Sequence, residues 1–433
     1  MARIKLAYLG GGSSRAAGTM ASFMHRGQRF NGSEVVLIDL HQERLDLVRQ
    51  LAQRMAKHAG LDITVTATTD RLAGLQDCDA LLSSFRPGGF EARALDERIS
   101  IKHGVIGQET QGPGGFFMAL RSIAVMQQVA SEAVRVCPNV KIFNYTNPVN
   151  IVAQALTSYT DIPTISLCEG PWLFPQLVAK AAGLDPAKVR VNMAGINHNC
   201  WSTEHTYAGE DLIPHLRAGL QARADDPALD DDSKLVLRLA VAMERVPSYY
   251  FKYYYFRDEI LRRQQGEPRT RAEVILAQMP LYWEHYREQA HSDAPILDPA
   301  RSRGGIHELE LAIDAMAAHF NDDRAVLPVN LPNRGGVLPG FEEKLVVEVP
   351  TVVDGSGFMP LPQPRLPHTV AGLMHALAEH QMLAAEVAWK GNARDGVRAL
   401  AAHPLVPSLP VAEELYIEMA HAHAAYLPHR LLP

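Results

Sequence analysis

The sequence predicts an α/β protein: an N-terminal Rossmann-like, doubly wound parallel sheet followed by a C-terminal α+β substrate domain. Short apolar runs alternate with helical segments over the first 198 residues, which is typical of βα units. The first of these runs ends in a glycine-rich turn, and near residue 200 longer helical stretches with acidic loops replace the alternation. We therefore place the two domains at residues 1–198 and 199–433.

Composition narrows the class of partner. The chain has 433 residues, a formal net charge of -6 and no basic block, which argues against nucleic acid or an anionic membrane as the main partner. No apolar run is long enough for a signal segment or a membrane span. Four scattered cysteines suit a reducing compartment better than a disulfide framework. We expect a cytoplasmic protein that binds a small molecule.

A glycine turn follows the first predicted strand, residues 4–9. Its candidate ligand-binding residues are Gly10, Gly12, Ser13 and Ser14. Glycines here let backbone N–H groups approach a pyrophosphate at the start of the next helix, as in dinucleotide-binding proteins. The fingerprint is incomplete, because Arg15 occupies its third glycine position. The turn favours dinucleotide binding over a plain strand-turn-helix connection.

The second predicted strand ends in Asp39. A carboxylate at this place reads the ribose hydroxyls of NAD and repels the 2′-phosphate of NADP. Together with the glycine turn, Asp39 predicts NAD as the cofactor.

Polar residues follow the next strands. Arg86 ends a strand at residues 80–85, with Arg93 soon after, and arginines there suit a bidentate grip on phosphate or carboxylate. Ion pairs with Asp96 or Glu97 are the alternative. Asn147 follows a strand at residues 140–143 and precedes a proline, so it is held extended with its amide available to a bound hydroxyl.

A further apolar strand, residues 163–167, leads to Cys168 and Glu169. Ligands bind at the carboxyl ends of strands in such sheets, although a lone cysteine that ends an apolar strand is more often part of an inert core. His198 follows the strand at residues 189–193. Cysteine and histidine both ligate Mn, Fe, Co, Ni or Zn, and two protein ligands leave positions open for substrate oxygens.

Three tyrosines are predicted to share one helical face: Tyr250, Tyr253 and Tyr254. An aromatic stripe of this kind is usually part of a packed core, and a site is the alternative.

Taken together, these segments resemble glycoside hydrolase family 4, the NAD- and divalent-metal-dependent glycosidases, and in particular its 6-phospho-β-glucosidase branch. The matching segments recur in the family's order over the whole chain. They are residues 10–14, 85–89 with Arg93, 104–110, 144–148, 167–168, 195–198, 247–254, 403–405 and 426–427.

The resemblance implies a mechanism. NAD takes a hydride from C3 of the sugar, the C2 proton becomes acidic and is removed, and the aglycone leaves C1 by elimination before water adds and the hydride returns. By the same resemblance, Cys168 and His198 are the ligands of the metal, Mn²⁺ being expected, and Tyr250 is the base. The implied NAD contacts are Gly10, Gly12, Ser13, Ser14 and Asp39. The candidate substrate contacts are Asn147, Asn197 and Arg303, together with Arg15, Arg86 and Arg93 as ligands of a phosphate, a carboxylate or another anion at C6. The resemblance also implies a homodimer or homotetramer.

Two departures from the branch bear on the substrate. Glu169 stands where phospho-β-glucosidases have a different sequence after the cysteine, and a carboxylate here is reminiscent of α-acting members. It would be a general acid or a ligand of a hydroxyl or an arginine. Arg15 and the two alanines after it replace the family's Tyr-Thr-Pro beside the C6 end of the sugar. A family 4 glycosidase for unphosphorylated or α-linked glycosides is therefore an alternative.

Two further alternatives lie outside the glycosidases. An NAD-dependent 2-hydroxy acid dehydrogenase would share the nucleotide half, but it has no use for Cys168 and His198 together. A non-catalytic NAD or sugar sensor would share the whole architecture, but it has no use for Tyr250.

Overall fold

One mixed sheet runs through the chain in the computed structural model, which describes residues 1–303 and 310–433. Its order is β3-β2-β1-β4-β5-β6-β10-β11-β7-β8-β9, with β12 paired to β11. The strands are β1 (Lys5–Leu9), β2 (Glu34–Ile38), β3 (Thr64–Thr68), β4 (Ala80–Ser83), β5 (Lys141–Asn144), β6 (Thr164–Ser166), β7 (Val189–Ile196), β8 (Asn199–Tyr207), β9 (Glu210–Asp211), β10 (Ala325–Pro332), β11 (Val346–Asp354) and β12 (Gly357–Pro360).

Helices connect these strands and cover the sheet. They are α1 (Ala16–His25), α2 (Gln42–His58), α3 (Arg71–Leu75), α4 (Gly89–Lys102), α5 (Gly112–Val136), α6 (Val149–Tyr159), α7 (Gly170–Ala181), α8 (Leu212–Ala222), α9 (Asp231–Met243), α10 (Lys252–Tyr255), α11 (Arg257–Gly266), α12 (Arg271–Ala290), α13 (Leu311–Phe320), α14 (His368–Lys390), α15 (Ala393–Ala401) and α16 (Leu409–Ala422). None of these helices, nor any other in the described residues, is long and apolar enough to cross a membrane.

The strands β1 to β6 are parallel and lie in the order β3-β2-β1-β4-β5-β6. This is the order of doubly wound nucleotide-binding sheets, and it confirms the predicted fold class. Side chains alternate between two cores: Leu6 and Tyr8 of β1 pack in one, whereas Ala7 and Leu9 pack in the other. Both faces of the central strands are therefore covered, which explains why these strands are mostly apolar, whereas the edge strand β3 is rich in threonine and only partly buried.

The antiparallel half begins where Ser166 of β6 pairs with Asn330 of β10. From there β11 pairs with β7, and β7 pairs with β8 as a hairpin whose last pair is Ile196 with Asn199. The predicted domain boundary after residue 198 lies in the turn of this hairpin, and the sheet continues across it. Division into two independent domains stays a prediction.

The helix ends follow from local sequence. Pro113 occupies the first turn of α5, where the backbone N–H groups have no helical partner and a missing donor costs nothing. Thr270 and Glu273 form a reciprocal capping box at the start of α12. The start of α5 fixes the end of the loop before it, and that loop carries residues of the site described next, as does the loop before α7.

Candidate active site

The site lies at the carboxyl ends of the parallel strands, where the chain order reverses between β1 and β4. Gly10 follows β1 with φ of +94°, and a Cβ atom there would lie 2.1 Å from the carbonyl oxygen of Ser84, which follows β4. No other residue fits this close approach without moving the backbone. The strands thus meet at the crevice in which doubly wound sheets bind their ligands.

The glycine turn faces the end of β2. The Asp39 carboxylate accepts the Gly12 N–H at 3.0 Å, and a Cβ at Gly12 would lie 3.0 Å from the Asp39 Cβ. The Ser13 hydroxyl is buried without a hydrogen-bond partner among the described residues, and the Ser14 carbonyl accepts from Tyr286. The structure therefore brings the predicted cofactor-binding residues together in one cradle.

Cys168 and His198 come from different halves of the sheet and meet through Asn197. Cys168 follows β6, and its sulfur accepts hydrogen bonds from the Gly170 N–H at 3.4 Å and from the Asn197 side chain. Burial, and then the charges of Glu348 and Glu169, raises the pKa of the Cys168 thiol. A nearby cation would reverse that shift and favour the thiolate.

His198 is held in an uncommon backbone conformation. It lies in the β7–β8 turn with φ of +63°, a region that costs free energy for residues other than glycine. Its carbonyl accepts from the Ser248 hydroxyl, and its Nδ1 lies 2.8 Å from Thr110 Oγ1. Burial lowers the pKa of the imidazole to about 4, so the ring is neutral at pH 7. A neutral imidazole is the form that ligates metals.

Tyr250 packs against one face of the His198 ring. The two rings are stacked with centroids 3.9 Å apart. Burial, followed by Cys168 and Glu109, raises the pKa of the Tyr250 phenol, although Arg93 opposes this shift. The tyrosine segment is not one helix, because a 3₁₀ turn at Tyr249–Phe251 precedes α10. Tyr253 contacts Tyr250, whereas Tyr254 donates its hydroxyl proton to Gln111.

Glu109 joins the two predicted arginines. Its Oε2 lies 2.6 Å from Arg86 and 2.8 Å from Arg93, and Arg93 also contacts Glu97 at 2.7 Å. The pKa of the Glu109 carboxyl falls to about 2, because the two arginines outweigh the effect of burial. Much of the charge of Arg86 and Arg93 is thus compensated within the protein.

Arg303 differs from these arginines. Among the described residues it has no carboxylate within ion-pair distance, and its guanidinium lies 4.6 Å from the centre of the Phe90 ring. Burial, followed by Arg86, lowers the pKa of Arg303 to about 10, so it remains charged at pH 7. Arg303, Arg93, Glu109 and Tyr250 line one cavity of about 440 Å³.

Arg15 lies between two carboxylates. Its Nη2 is 3.5 Å from Glu169 Oε1 and 3.5 Å from Glu310 Oε1. The Tyr145 hydroxyl donates to the same Glu169 oxygen at 2.8 Å. One oxygen of Glu169 is thereby occupied, and Arg15 is neutralised inside the protein. Asn147 lies nearby in the chain after β5, and its carbonyl accepts from Ser122 at 3.0 Å.

Comparison with known proteins identifies the family. The profile described as Family 4 glycosyl hydrolase matches residues 5–184, and that of the Family 4 glycosyl hydrolase C-terminal domain matches residues 193–406. The chain belongs to glycosyl hydrolase family 4. The family 4 resemblance expected from the motifs is confirmed.

Relatives of this family 4 chain match it over nearly its whole length. It is 32% identical to a protein named probable 6-phospho-beta-glucosidase from Bacillus subtilis, over 98% of this chain and 97% of the relative. It is 28% identical to the phospho-alpha-glucosidase PagL of Clostridium acetobutylicum, over 98% and 99%. Among solved structures, a 6-phospho-alpha-glucosidase from gut microorganisms in complex with NAD and Mn²⁺ has a TM-score of 0.86 at 23% identity, covering 98% of this chain and 99% of its own.

Sequence reasoning on the family 4 chain did not single out Glu109, Tyr145 or Glu348. Glu109 and Tyr145 lie within the family segments 104–110 and 144–148, and a polar side chain inside such a segment is a signal that points to a site residue. Glu348 of β11 carried no signal, yet its Oε1 accepts from Asn197 at 2.9 Å and from Asn330 at 2.8 Å. Burial raises the pKa of Glu348 to about 7 despite these donors. It fixes the amide of Asn197 next to His198.

Proposed function

We propose that this chain is a glycosidase that binds NAD and a divalent metal ion, with 6-phospho-β-glucosides as its substrate class. The observation that carries the proposal is the group formed by Cys168, His198 and Tyr250. Glu169, next to Cys168, contacts Arg15 at the end of the glycine turn. A dehydrogenase needs no cysteine-histidine pair, and a sensor needs no tyrosine stacked on that histidine. The names of the relatives support the phosphorylated substrate.

The residues present fit both cofactors. The unpartnered Ser13 hydroxyl and the glycine backbone suit a pyrophosphate, and Asp39 is placed for a ribose. Cys168 and His198 are soft and borderline ligands for a divalent first-row metal ion, and Mn²⁺, which is harder, would take its remaining ligands from oxygen atoms. No group of three or more His, Cys, Asp or Glu side chains in the described residues could hold a metal ion. Substrate oxygens would therefore complete the coordination of a metal held by this pair.

When bound, NAD supplies a hydride acceptor for C3 of the sugar, and the metal supplies Lewis acidity at O2 and O3. Tyr250 then removes the proton from C2, a step for which its phenolate is needed. Its phenol is protonated in the environment that burial and Glu109 create. Tyr250 can therefore remove the C2 proton only when a positive charge beside its ring stabilises the phenolate.

The C6 phosphate is assigned to Arg303, with Arg93 and Arg86 as neighbours. Arg269, Arg271 and Arg303 line this cavity without a carboxylate at ion-pair distance among the described residues. Arg269 and Arg271 are exposed, whereas Arg303 is partly buried beside the Phe90 ring. A phosphate oxygen gains a charge-assisted hydrogen bond there without displacing an internal partner. Arg86 and Arg93 hold Glu109, and they add positive potential to the same cavity.

Glu169 supports a second candidate, an α-linked or unphosphorylated glycoside. Tyr145 and Arg15 occupy one of its oxygens, so the other is available to a glycosidic oxygen or a hydroxyl. A general acid at this place helps a poor leaving group to depart. The engagement of Arg15 by Glu169 and Glu310 also removes it from the group of free anion ligands.

Assembly and compartment belong to the same proposal. We expect a homodimer or homotetramer, which light scattering after gel filtration measures. All four cysteines are unpaired, and the role of Cys168 requires a reduced thiol, which the cytoplasm maintains.

A panel of nitrophenyl glycosides tests the proposed function. It contains α- and β-glucosides, each with and without 6-phosphate, assayed with NAD and Mn²⁺ under reducing conditions. Nitrophenol release restricted to the 6-phospho-β-glucoside, and lost on adding EDTA, is the expected result. Net accumulation of NADH would instead indicate a dehydrogenase, and release that needs neither NAD nor metal would refute the proposed mechanism.

A further inference from the structure

The Nδ1 atom of His198 faces a short hydrogen-bonded chain in the loop before α5. Thr110 Oγ1 lies 2.8 Å from this nitrogen and 3.0 Å from Gln108 Oε1. The same Gln108 oxygen accepts the backbone N–H of Thr110 at 2.6 Å and of Gln111 at 2.8 Å. Gln108, Thr110 and His198 are all buried. No bulk water competes for these contacts.

The direction of the hydrogen bonds from Gln108 through Thr110 determines which nitrogen of the His198 ring carries the hydrogen. Two backbone donors point at Gln108 Oε1, which identifies it as the amide oxygen and therefore as an acceptor. The Thr110 hydroxyl has one proton, and the 3.0 Å contact with Gln108 Oε1 assigns that proton to the amide oxygen as a third donor. Only a lone pair of Thr110 Oγ1 remains for His198, so Nδ1 must be the donor. In a neutral imidazole with hydrogen on Nδ1, the lone pair for a ligand is on Nε2.

We propose that Thr110, oriented by Gln108, is a positioning residue that fixes the Nδ1–H tautomer of His198 and so presents Nε2 to the divalent metal. The inference rests on the proposed function, in which His198 is a metal ligand. Histidines that bind metals commonly donate their second N–H to a fixed partner, which sets the ring orientation. The stack with Tyr250 holds the plane of the His198 ring, and the Ser248 hydroxyl, which donates to the His198 carbonyl, holds its backbone. Thr110 determines which ring nitrogen carries the proton.

Substitutions at Thr110 test the proposal through metal binding. Thr110→Val keeps the shape and removes the acceptor, whereas Thr110→Ser keeps the hydroxyl. The Mn²⁺ dissociation constant, measured from the electron paramagnetic resonance of free Mn²⁺, should rise about 10- to 100-fold in Thr110→Val. Thr110→Ser should restore binding close to that of the unaltered protein. NAD affinity should be the same in all three proteins, because the glycine turn is not touched.

The tautomer itself is measurable without any metal. Nitrogen NMR of protein labelled at histidine, with His198 assigned by its loss in His198→Gln, should show hydrogen on Nδ1 in the unaltered protein. Hydrogen on Nε2, or equal Mn²⁺ affinity of folded Thr110→Val and the unaltered protein, would overturn the proposal. If Thr110→Val does not fold, Thr110→Ala takes its place. Absence of Mn²⁺ binding by the unaltered protein would count against the proposed function, and the NMR result would still decide the tautomer.

Discussion

The rings of His198 and Tyr250 are parallel to within 8°, with their centroids 3.9 Å apart. The proposed metal ligand and the proposed base are thereby held in one stack, between the turn of the β7–β8 hairpin and a 3₁₀ turn. Cys168 and Glu109 both raise the pKa of the same phenol. The stack therefore places the residue proposed to remove a proton against the residue proposed to hold the metal.

Tyr250→Phe tests the base directly. The ring is kept, so the stack with His198 should persist, and only the hydroxyl is lost. Turnover should fall about 100- to 10,000-fold, the usual range for a general base, while NAD affinity stays the same. Tyr253→Phe is the matched control, because Tyr253 lines the same cavity and has no assigned role. Unchanged turnover in Tyr250→Phe would revive the sensor interpretation.

Arg303→Met tests recognition of the anion. The KM for a 6-phosphoglycoside should rise about 10- to 100-fold, because one charge-assisted hydrogen bond is lost. The KM for the same glycoside without phosphate should change little. Arg271→Gln, at the exposed edge of the same cavity, is the control for general loss of positive charge. Equal effects of the two substitutions on KM would show that Arg303 makes no specific contact with the phosphate.

Asp39→Asn tests the choice of nucleotide. The amide oxygen can still accept the Gly12 N–H, but the negative charge that repels a 2′-phosphate is gone. The preference for NAD over NADP, measured as the ratio of dissociation constants, should fall about 10-fold. Asp46→Asn on α2 should leave this ratio unchanged. If Asp39→Asn leaves it unchanged as well, the ribose is bound elsewhere.

Glu169→Gln separates the two roles left open for this carboxylate. A general acid matters most when the leaving group is poor, so alkyl glycosides should lose far more turnover than nitrophenyl glycosides. Steady-state rates on both, at saturating substrate, give the comparison. Equal losses on the two would show that Glu169 only binds.

Asp96→Asn tests how much the buried ion pair between α4 and α5 contributes to stability. Asp96 contacts Arg121 at 2.6 Å and His423 at 2.8 Å, and each of these side chains is almost fully buried. The substitution should lower the free energy of unfolding by about 3 to 5 kcal/mol in urea titrations, because it leaves a buried cation without its partner. Glu386→Gln, which affects an exposed pair with Lys390, should change stability far less.

The same pair predicts loss of stability in acid. Burial alone would raise the pKa of Asp96, but Arg121 and His423 hold it below its ordinary value. Because the pKa of the Asp96 carboxyl is lower in the folded protein than in the unfolded chain, its ionised form stabilises the fold at pH values above the unfolded pKa, near 4. This stabilisation is lost as the pH falls from there through the folded-state pKa. Asp96→Asn should therefore show a shallower fall in unfolding free energy below about pH 4.

Much of the fold follows from local sequence. Apolar runs predicted the parallel strands, and the glycines predicted a tight turn after the first strand, because strand patterning and glycine conformation are local properties. The continuity of the sheet from β6 through β10 to the β7–β8 hairpin was not predicted. It depends on pairings between residues far apart in the chain, such as Ser166 with Asn330.

The site was predicted as a set of residues, and its internal pairings were not. Sequence reasoning offered an ion pair with Asp96 or Glu97 as the alternative for Arg86 and Arg93, and Arg93 does contact Glu97. The pairing of both arginines with Glu109 was not predicted. An ion pair depends on side-chain positions brought together by several loops, which no spacing encodes. Arg15 was expected beside the substrate, and its engagement by Glu169 and Glu310 emerged only from the packing of α13. The assigned roles of these residues stay predictions.

Reaction in D₂O is the measurement that tests the central claim most directly. A 6-phospho-β-glucoside is converted with NAD and Mn²⁺, and the released sugar phosphate is examined by NMR for deuterium at C2. Sugar phosphate incubated with the enzyme under the same conditions controls for later exchange. Removal of the C2 proton by Tyr250 predicts deuterium at C2 of the newly released product. Product that keeps its hydrogen at C2, from an enzyme that turns over, would contradict the mechanism.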